Sequence, residues 1–259
     1  MKSYYCIILI LVATACNNTS SGSKIDYITD SLKSVIDENI SEIKWIKKRN
    51  PGVIIENKEA TTCAINLFHP FGLSIEIVND RPENNNKTFL CVPGAYTSNE
   101  NIIDGIFIQK GVLVKKAINE KLNGLCIFSN NKLLIENSNI ISDSLINEAI
   151  INKRSMFQQT LLIKNSNIIQ CKLFGDNINL RRALIKFDDS EFLVGESHRP
   201  MTIIEFQIAL KEIGVVDAVN LDMASWSEGW YKSNNGKMSI GDNFANTKRQ
   251  TNWIVYSLN

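Results

Sequence analysis

Histidine is almost absent from this 259-residue chain: there are two, His69 and His198, far apart in sequence. An imidazole-rich zinc site is therefore not expected, and no CxxC pair offers a thiolate alternative. No metal and no cofactor are expected. An excess of charge is also missing, since 28 Lys and Arg stand against 27 Asp and Glu. That near-neutral balance leaves no electrostatic footprint for nucleic acid, and taken over the whole chain it does not favour adsorption to anionic lipid. After the first twenty residues no apolar run is long enough to span a bilayer. Walker, GxGxxG, GxSxG and HExxH patterns are all lacking, which removes the commonest nucleotide-binding, serine-hydrolase and metalloprotease classes. Long Pro-, Gly- or Ser-rich linkers are missing from the body of the chain, so nothing marks a second domain boundary there.

What is present starts at the N-terminus. Lys2 is followed by the apolar run Cys6–Ala13, then by the small residues Ala13-Thr14-Ala15 and by Cys16. This is the layout of a bacterial lipoprotein leader, although Ala13 stands where a larger aliphatic residue is usual. Residues 1–15 are expected to be a lipoprotein signal peptide. Cys16 then becomes the lipidated mature N-terminus, and the protein is exported and lipid-anchored in the cell envelope. Plain secretion with cleavage nearby is the alternative. Residues 16–24, small and polar, read as a flexible tether. Residues 25–50 read as a helix, because Ile25, Ile28, Leu32, Val35, Ile36, Ile40, Ile43 and Ile46 recur mostly at spacings of three and four, and Pro51-Gly52 stops it. It serves either as a helix packed on the domain or as a stalk. Export also admits disulfides among Cys63, Cys91, Cys126 and Cys171; buried free thiols and one disulfide are both compatible with their positions in apolar runs.

Residues 51–259 are expected to form a single α/β (α+β) domain of antiparallel hairpins with flanking helices. Four hairpins are legible: 102–108 with 112–114, 125–128 with 132–135, 160–163 with 168–173, and 183–187 with 191–194. A helix is expected between Asp143 and Lys153. Thr202-Ile203-Ile204-Glu205 has the form of a capping box, Ile203, Phe206, Leu210 and Ile213 make an apolar stripe, and Gly214 supplies a left-handed exit. Residues 215–221 then read as a strand leading to Asp222 and the loop 223–231. Polar side chains delivered from a buried strand into a loop are well placed for chemistry, because the strand fixes them and the loop admits a ligand.

The order of these pieces resembles the phosphodiester glycosidase family over about residues 60–259. Arg182-Ala183-Leu184 matches the arginine at a strand start, Thr202 to Gly214 the capped helix, and Ala218-Val219-Asn220-Leu221-Asp222 the strand that in the family runs into Asn-Leu-Asp-Gly-Gly. Val92-Pro93-Gly94-Ala95-Tyr96-Thr97, then Ile103-Asp104-Gly105, lie where the family has Asn-Gly-Gly-Phe-Phe and a later glycine. Phe157–Leu162 resembles the strand before the arginine. Met223 and Ala224 replace the two glycines after the aspartate, Pro93 stands near the family's asparagine, and Lys186 near a missing glycine. Such glycines let backbone amides approach a phosphate, so their loss reshapes the anion site.

The resemblance implies a hydrolase of a sugar-1-phosphodiester, with a carbohydrate or sugar phosphate as ligand. That chemistry needs a carboxylate near the anomeric carbon or attacking water, and cations or amides on the phosphate. Asp222 is the candidate carboxylate, as base or electrostatic stabiliser, with loop capping as its alternative. Arg182 is a candidate bidentate phosphate grip or else one half of an ion pair. His198 is a candidate general acid or a solvated loop residue. Arg249 and Ser225 are candidate substrate contacts, and Tyr96 and Trp226 candidate stacking surfaces for a sugar, with Trp230 and Tyr231 close by; clustered aromatics are as often core. The competing class is a silent lipoprotein that binds envelope glycans or partner proteins. The leader makes a first prediction: Cys16→Ala abolishes incorporation of radiolabelled palmitate in a bacterial host, and label retained by that variant would remove the anchor.

Overall fold

A computed structural model describes residues 50–82, 86–129, 132–171, 176–188, 192–223, 227–242 and 247–258. Cys16, the leader, the tether and nearly all of the expected N-terminal helix lie outside the described residues, as do Ser225 and Trp226. Pro51–Asn259 is a separate unit from Met1–Asn50.

Three antiparallel sheets make up the unit. The first has seven strands, in the order β1 (Gly52–Lys58), β2 (Ile65–Phe71), β13 (Leu193–Ser197), β12 (Arg182–Lys186), β14 (Asp217–Asn220), β10 (Leu161–Lys164) and β11 (Asn167–Ile168). The second orders β16 (Gly236–Ile240), β15 (Gly229–Ser233), β4 (Thr88–Pro93), β17 (Trp253–Ser257) and β3 (Ser74–Val78). The third orders β6 (Val112–Lys115), β5 (Phe107–Gln109), β9 (Ser155–Gln159), β7 (Gly124–Ser129) and β8 (Lys132–Asn137). Every named strand pair is antiparallel. Only two α-helices occur among the described residues, α1 (Asp143–Ile151) and α2 (Ile203–Glu212). The expected α/β class is thus corrected to a mostly β architecture. The expected antiparallel hairpins with flanking helices are present within it.

The strand alternation explains how three sheets share one core. Side chains at alternate positions point to opposite faces, so Leu184, Val194 and Val219 of the first sheet meet Leu90, Val92 and Ile254 of the second and Phe107, Cys126 and Phe157 of the third in one apolar cluster. The opposite face of the first sheet is covered by α2, whose Ile203, Phe206 and Leu210 pack on Ala183, Ile185 and Ala218. The opposite face of the third sheet is covered by α1 through Ile146 and Ala149. Burying one such aliphatic or aromatic side chain contributes about 1.5–3 kcal/mol. The start of α2 is fixed as its sequence requires: the Glu205 N–H donates to Thr202 Oγ1 at 3.2 Å, and the Thr202 N–H donates to Glu205 Oε2 at 2.8 Å. Gly214 leaves the helix at φ +89° with open space around it, so only the backbone angle calls for glycine there.

One local expectation changes. Phe157–Leu162, which reads as one strand, is divided at Thr160: β9 belongs to the third sheet and β10 to the first. Trp230 takes the core alternative: it lies on strand β15 and is buried with Cys91, Trp253 and Val255. Tyr231, on the other face, packs against Phe68 at 5.7 Å between ring centroids. His69 sits on β2 with Nε2 2.9 Å from Glu56.

All four described cysteines are free thiols. Burial pushes Cys91 and Cys126 far above the ordinary thiol value, and Cys171 up to about 11. In the unfolded chain these thiols ionise near pH ~8.5. Above that pH the unfolded state holds fewer protons than the folded one, so stability falls as pH rises. The expected loss is up to about 1.4 kcal/mol per pH unit for each of the two fully buried thiols. Urea midpoints measured from pH 7 upward should therefore be flat at first and then decline, and Cys126→Ala should shallow the decline.

Candidate active site

The end of the first sheet gathers polar residues from four strands. β12 begins there with Arg182, β13 ends there with Glu196 and Ser197, β14 ends with Asn220, and Thr160 precedes β10. The register fixes this: Arg182 pairs with Glu196, Ala183 with Asn220, and the Asn220 N–H donates to the Thr160 carbonyl at 2.8 Å. Leu221 and Asp222 then carry the chain from this sheet toward β4, where the Asp222 N–H donates to the Gly94 carbonyl at 2.9 Å.

The segment Gly94–Thr97 meets them from the second sheet. Asn252, fully buried just before β17, holds it with both ends of its amide. Oδ1 accepts from the Ala95 N–H at 2.6 Å, and Nδ2 donates to the Ala95 carbonyl at 2.9 Å. A Cβ on Gly94 would lie 2.6 Å from that Oδ1, so the close approach itself requires glycine. Gln159, at the end of β9, donates to the Gly94 carbonyl at 3.3 Å and brings in the third sheet. The Thr97 N–H donates to Asp222 Oδ2 at 2.9 Å. Tyr96 receives a hydrogen bond on its phenol oxygen from Asn220 Nδ2 at 2.7 Å.

Tyr96 keeps some solvent exposure, yet desolvation holds its phenol well above the usual value, with the Asp222 charge adding to the rise and the nearby Arg181 opposing it. The phenol proton stays on at all ordinary pH, so the hydroxyl is available as a neutral hydrogen-bonding group. Asp222 is 4% exposed, and its carboxylate is held by the Thr97 N–H. Such a fixed, poorly solvated carboxylate next to a neutral phenol suits stabilisation of positive charge or acceptance of a proton.

The other expected site residues separate. Arg182 is fully buried on the core face and committed to Glu196, with Nε 2.7 Å from Oε2 and Nη2 bonded to the same oxygen; its Nη1 has no hydrogen-bond partner among the described residues. It is the ion-pair alternative that is found, in buried rather than surface form. Arg181 is the guanidinium whose charge opposes the rise at Tyr96; its Nε donates to the Met201 carbonyl at 2.9 Å, and burial lowers its proton affinity. His198 is exposed just beyond β13, with its main-chain N–H on the Ala64 carbonyl at 3.0 Å. Arg249 reaches the turn that follows Thr97: Nε donates to Asn101 Oδ1 at 2.9 Å and Nη2 to the Asn99 carbonyl. Asp222, Tyr96 and Arg249 thus converge on one turn, whereas Arg182 is bonded to Glu196 and the His198 main chain to Ala64. Arg181, Asn220, Thr160 and Asn252 were not singled out. The available signal was polar residues embedded in apolar runs, as in Gln158-Gln159-Thr160 between Phe157 and Leu161.

No protein-family model and no curated protein sequence matches the chain. Among solved structures it is similar to the catalytic domain of zebrafish N-acetylglucosamine-1-phosphodiester alpha-N-acetylglucosaminidase, in a form auto-inhibited by its pro-peptide. The TM-score is 0.54 with 14% identity, covering 80% of this chain and 82% of that one. It is also similar to a hypothetical protein from Synechocystis, with TM-score 0.54 and 10% identity, covering 80% of this chain and 62% of that one. At such identities the likeness is one of fold: the chain shares, distantly, the architecture of a hydrolase catalytic domain.

The Arg182–Glu196 pair is tested by its asymmetry. Removing one partner leaves a buried charge uncompensated, so Glu196→Gln is expected to cost about 3–5 kcal/mol by chemical denaturation. The double variant Arg182→Met with Glu196→Leu should recover most of that loss.

Proposed function

We propose that this protein is a hydrolase of a sugar-1-phosphodiester, exported and tethered to the cell envelope through Cys16. The observation that carries the proposal is the bond from the Thr97 N–H to Asp222, which sets this carboxylate next to Tyr96 at the junction of the sheets, in a fold shared with a phosphodiester glycosidase domain. Cleavage of the anomeric C–O bond builds positive charge on the sugar and releases a phosphomonoester. Asp222 stabilises that charge or takes a proton from the attacking water. The Tyr96 hydroxyl, neutral throughout, hydrogen-bonds the departing group, and Arg181 supplies the positive field that a phosphate requires. Arg249 borders the same turn from the solvent side.

The test uses the methyl phosphodiester of glucose-1-phosphate in ¹⁸O-labelled water. ³¹P spectra should show phosphodiester turning into phosphomonoester, with the label in the sugar. Asp222→Asn keeps an acceptor for the Thr97 N–H and therefore the fold, and is expected to lower kcat by about 10²–10⁴-fold. Undiminished turnover in that variant removes the assigned role. The second reading, a glycan-binding lipoprotein without turnover, is favoured by the enclosure of Asp222 and by buried Met223 directly after it. Saturable binding of the phosphodiester with no product would establish it in place of hydrolysis.

A further inference from the structure

The chain carries two Asn-Gly pairs, Asn123-Gly124 and Asn235-Gly236. This dipeptide is chemically labile, because glycine has no Cβ to hinder its main-chain nitrogen or to restrict its rotation. That nitrogen can attack the Cγ of the preceding asparagine and close a five-membered imide. Whether it does so depends on the freedom of the side chain and of the peptide that joins the two residues. The fold treats the two pairs in opposite ways. Asn123 is held at both ends of its carboxamide: Oδ1 accepts from the Leu161 N–H at 2.9 Å, and Nδ2 donates to the Gln170 carbonyl at 3.4 Å. Gly124 is buried and paired on both sides, with Asn137 of β8 and with Gln159 of β9. A Cβ there would meet the Gln159 carbonyl oxygen at 2.7 Å, so the packing around this glycine is tight. The peptide between Asn123 and Gly124 cannot turn without parting β7 from its neighbours.

Asn235 stands at the tip of the β15–β16 hairpin. Asn234 and Asn235 form the turn, and Ser233 pairs with Gly236 to close it. Asn235 and Gly236 are both exposed, and Gly236 has φ +106° with open space where a Cβ would be. The Asn235 carboxamide makes no hydrogen bond among the described residues. Ser233 restrains the turn: its Oγ accepts from the Asn235 N–H at 3.1 Å and donates to the Gly236 carbonyl at 3.0 Å. The next cross-strand pair is Lys232 with Lys237, and like charges directly opposite weaken the pairing at this end of the hairpin. β16 is the edge of its sheet, so the tip can open without disturbing any strand but β15.

We infer that Asn235 is a site of spontaneous deamidation, through a succinimide, to aspartate and isoaspartate. The Gly236 nitrogen loses its proton and bonds to Asn235 Cγ, and the Cγ–Nδ2 bond breaks to release ammonia. Water then opens the ring. Opening at Cγ leaves aspartate; opening at the main-chain carbonyl leaves isoaspartate, whose chain runs through Cβ and Cγ. Either product puts a carboxylate where a neutral amide stood. Isoaspartate also lengthens the main chain by one carbon inside a tight turn, so the Ser233–Gly236 pairing no longer fits. The inference is separate from the hydrolase reading, since no residue of the Asp222 cluster lies on this turn.

The test stores the full chain at neutral and at mildly alkaline pH and maps its peptides by mass spectrometry. Isoaspartate is detected in the same peptides by methyl transfer from S-adenosylmethionine with isoaspartyl methyltransferase. In the folded protein, position 235 should gain the mass of an amide-to-carboxylate exchange about tenfold or more faster than position 123, because only the latter waits on the opening of its strands. The rate at 235 should rise with pH, and isoaspartate should be among the products. In guanidinium chloride the two positions should convert at similar rates, since the same dipeptide is then equally free at both. Asn235→Gln, whose longer side chain would have to close a six-membered ring, should hold its mass. Equal rates at 123 and 235 in the folded protein overturn the inference. So does an Asn235 that converts in denaturant alone, and so does conversion to aspartate without isoaspartate, because the ring is what gives the second product.

Discussion

The structure depends on the grip that buried side chains keep on the main chain at Gly94–Thr97. Asn252 occupies both polar groups of Ala95, Gln159 and the Asp222 N–H share the Gly94 carbonyl, and the Asp222 carboxylate takes the Thr97 N–H. A peptide group buried without partners costs about 1–3 kcal/mol for each unmet donor or acceptor. The segment cannot satisfy itself, because it leaves β4 and has no strand beside it. Its partners come from β17, β9 and the end of β14, so the three sheets are pinned to one another at the place where the polar cluster lies. The candidate chemistry and the assembly of the sheets consequently share the same atoms.

That sharing explains the character of Asp222. A carboxylate that serves a main-chain amide is rigid, and rigidity is what electrostatic stabilisation of a transition state requires. It also explains why glycine persists at position 94 although alanine follows at 95. The asparagine amide comes so close to Gly94 that no Cβ fits, whereas Ala95 points its methyl into the shared core.

Local features of the fold were legible in the sequence, and long-range ones were not. The capping box at Thr202, the helix after Ser142 and the tight hairpins all rest on contacts within a few residues, which spacing and turn chemistry reveal. The hairpins and flanking helices were legible, but the mostly β balance was not, because β2 pairs with β13, and β17 with β3 and β4, through partners distant in sequence. Thr160 divides an apolar run between two sheets, and no property of residues 157–162 alone tells a continuous strand from one that changes sheets. The choice between Arg181 and Arg182 is of the same kind. Neighbours on a strand face opposite ways, so a shift of one residue in register decides which guanidinium is locked to Glu196 and which one Tyr96 feels.

The position of β17 in the second sheet has a consequence for how the chain is made. This strand, Trp253–Ser257, is inserted between β3 and β4, two strands from the first part of the domain. During synthesis β3 and β4 must wait, side by side in sequence but with a gap between them, until residue 257 is available to fill it. Meanwhile both present bare hydrogen-bonding edges, and the residues that clamp Ala95 are missing as well. A shortened product ending before residue 250 would therefore lack far more than its last few residues: it would expose two sticky strands and leave the polar junction unbuilt, which makes it prey for proteases and prone to aggregate.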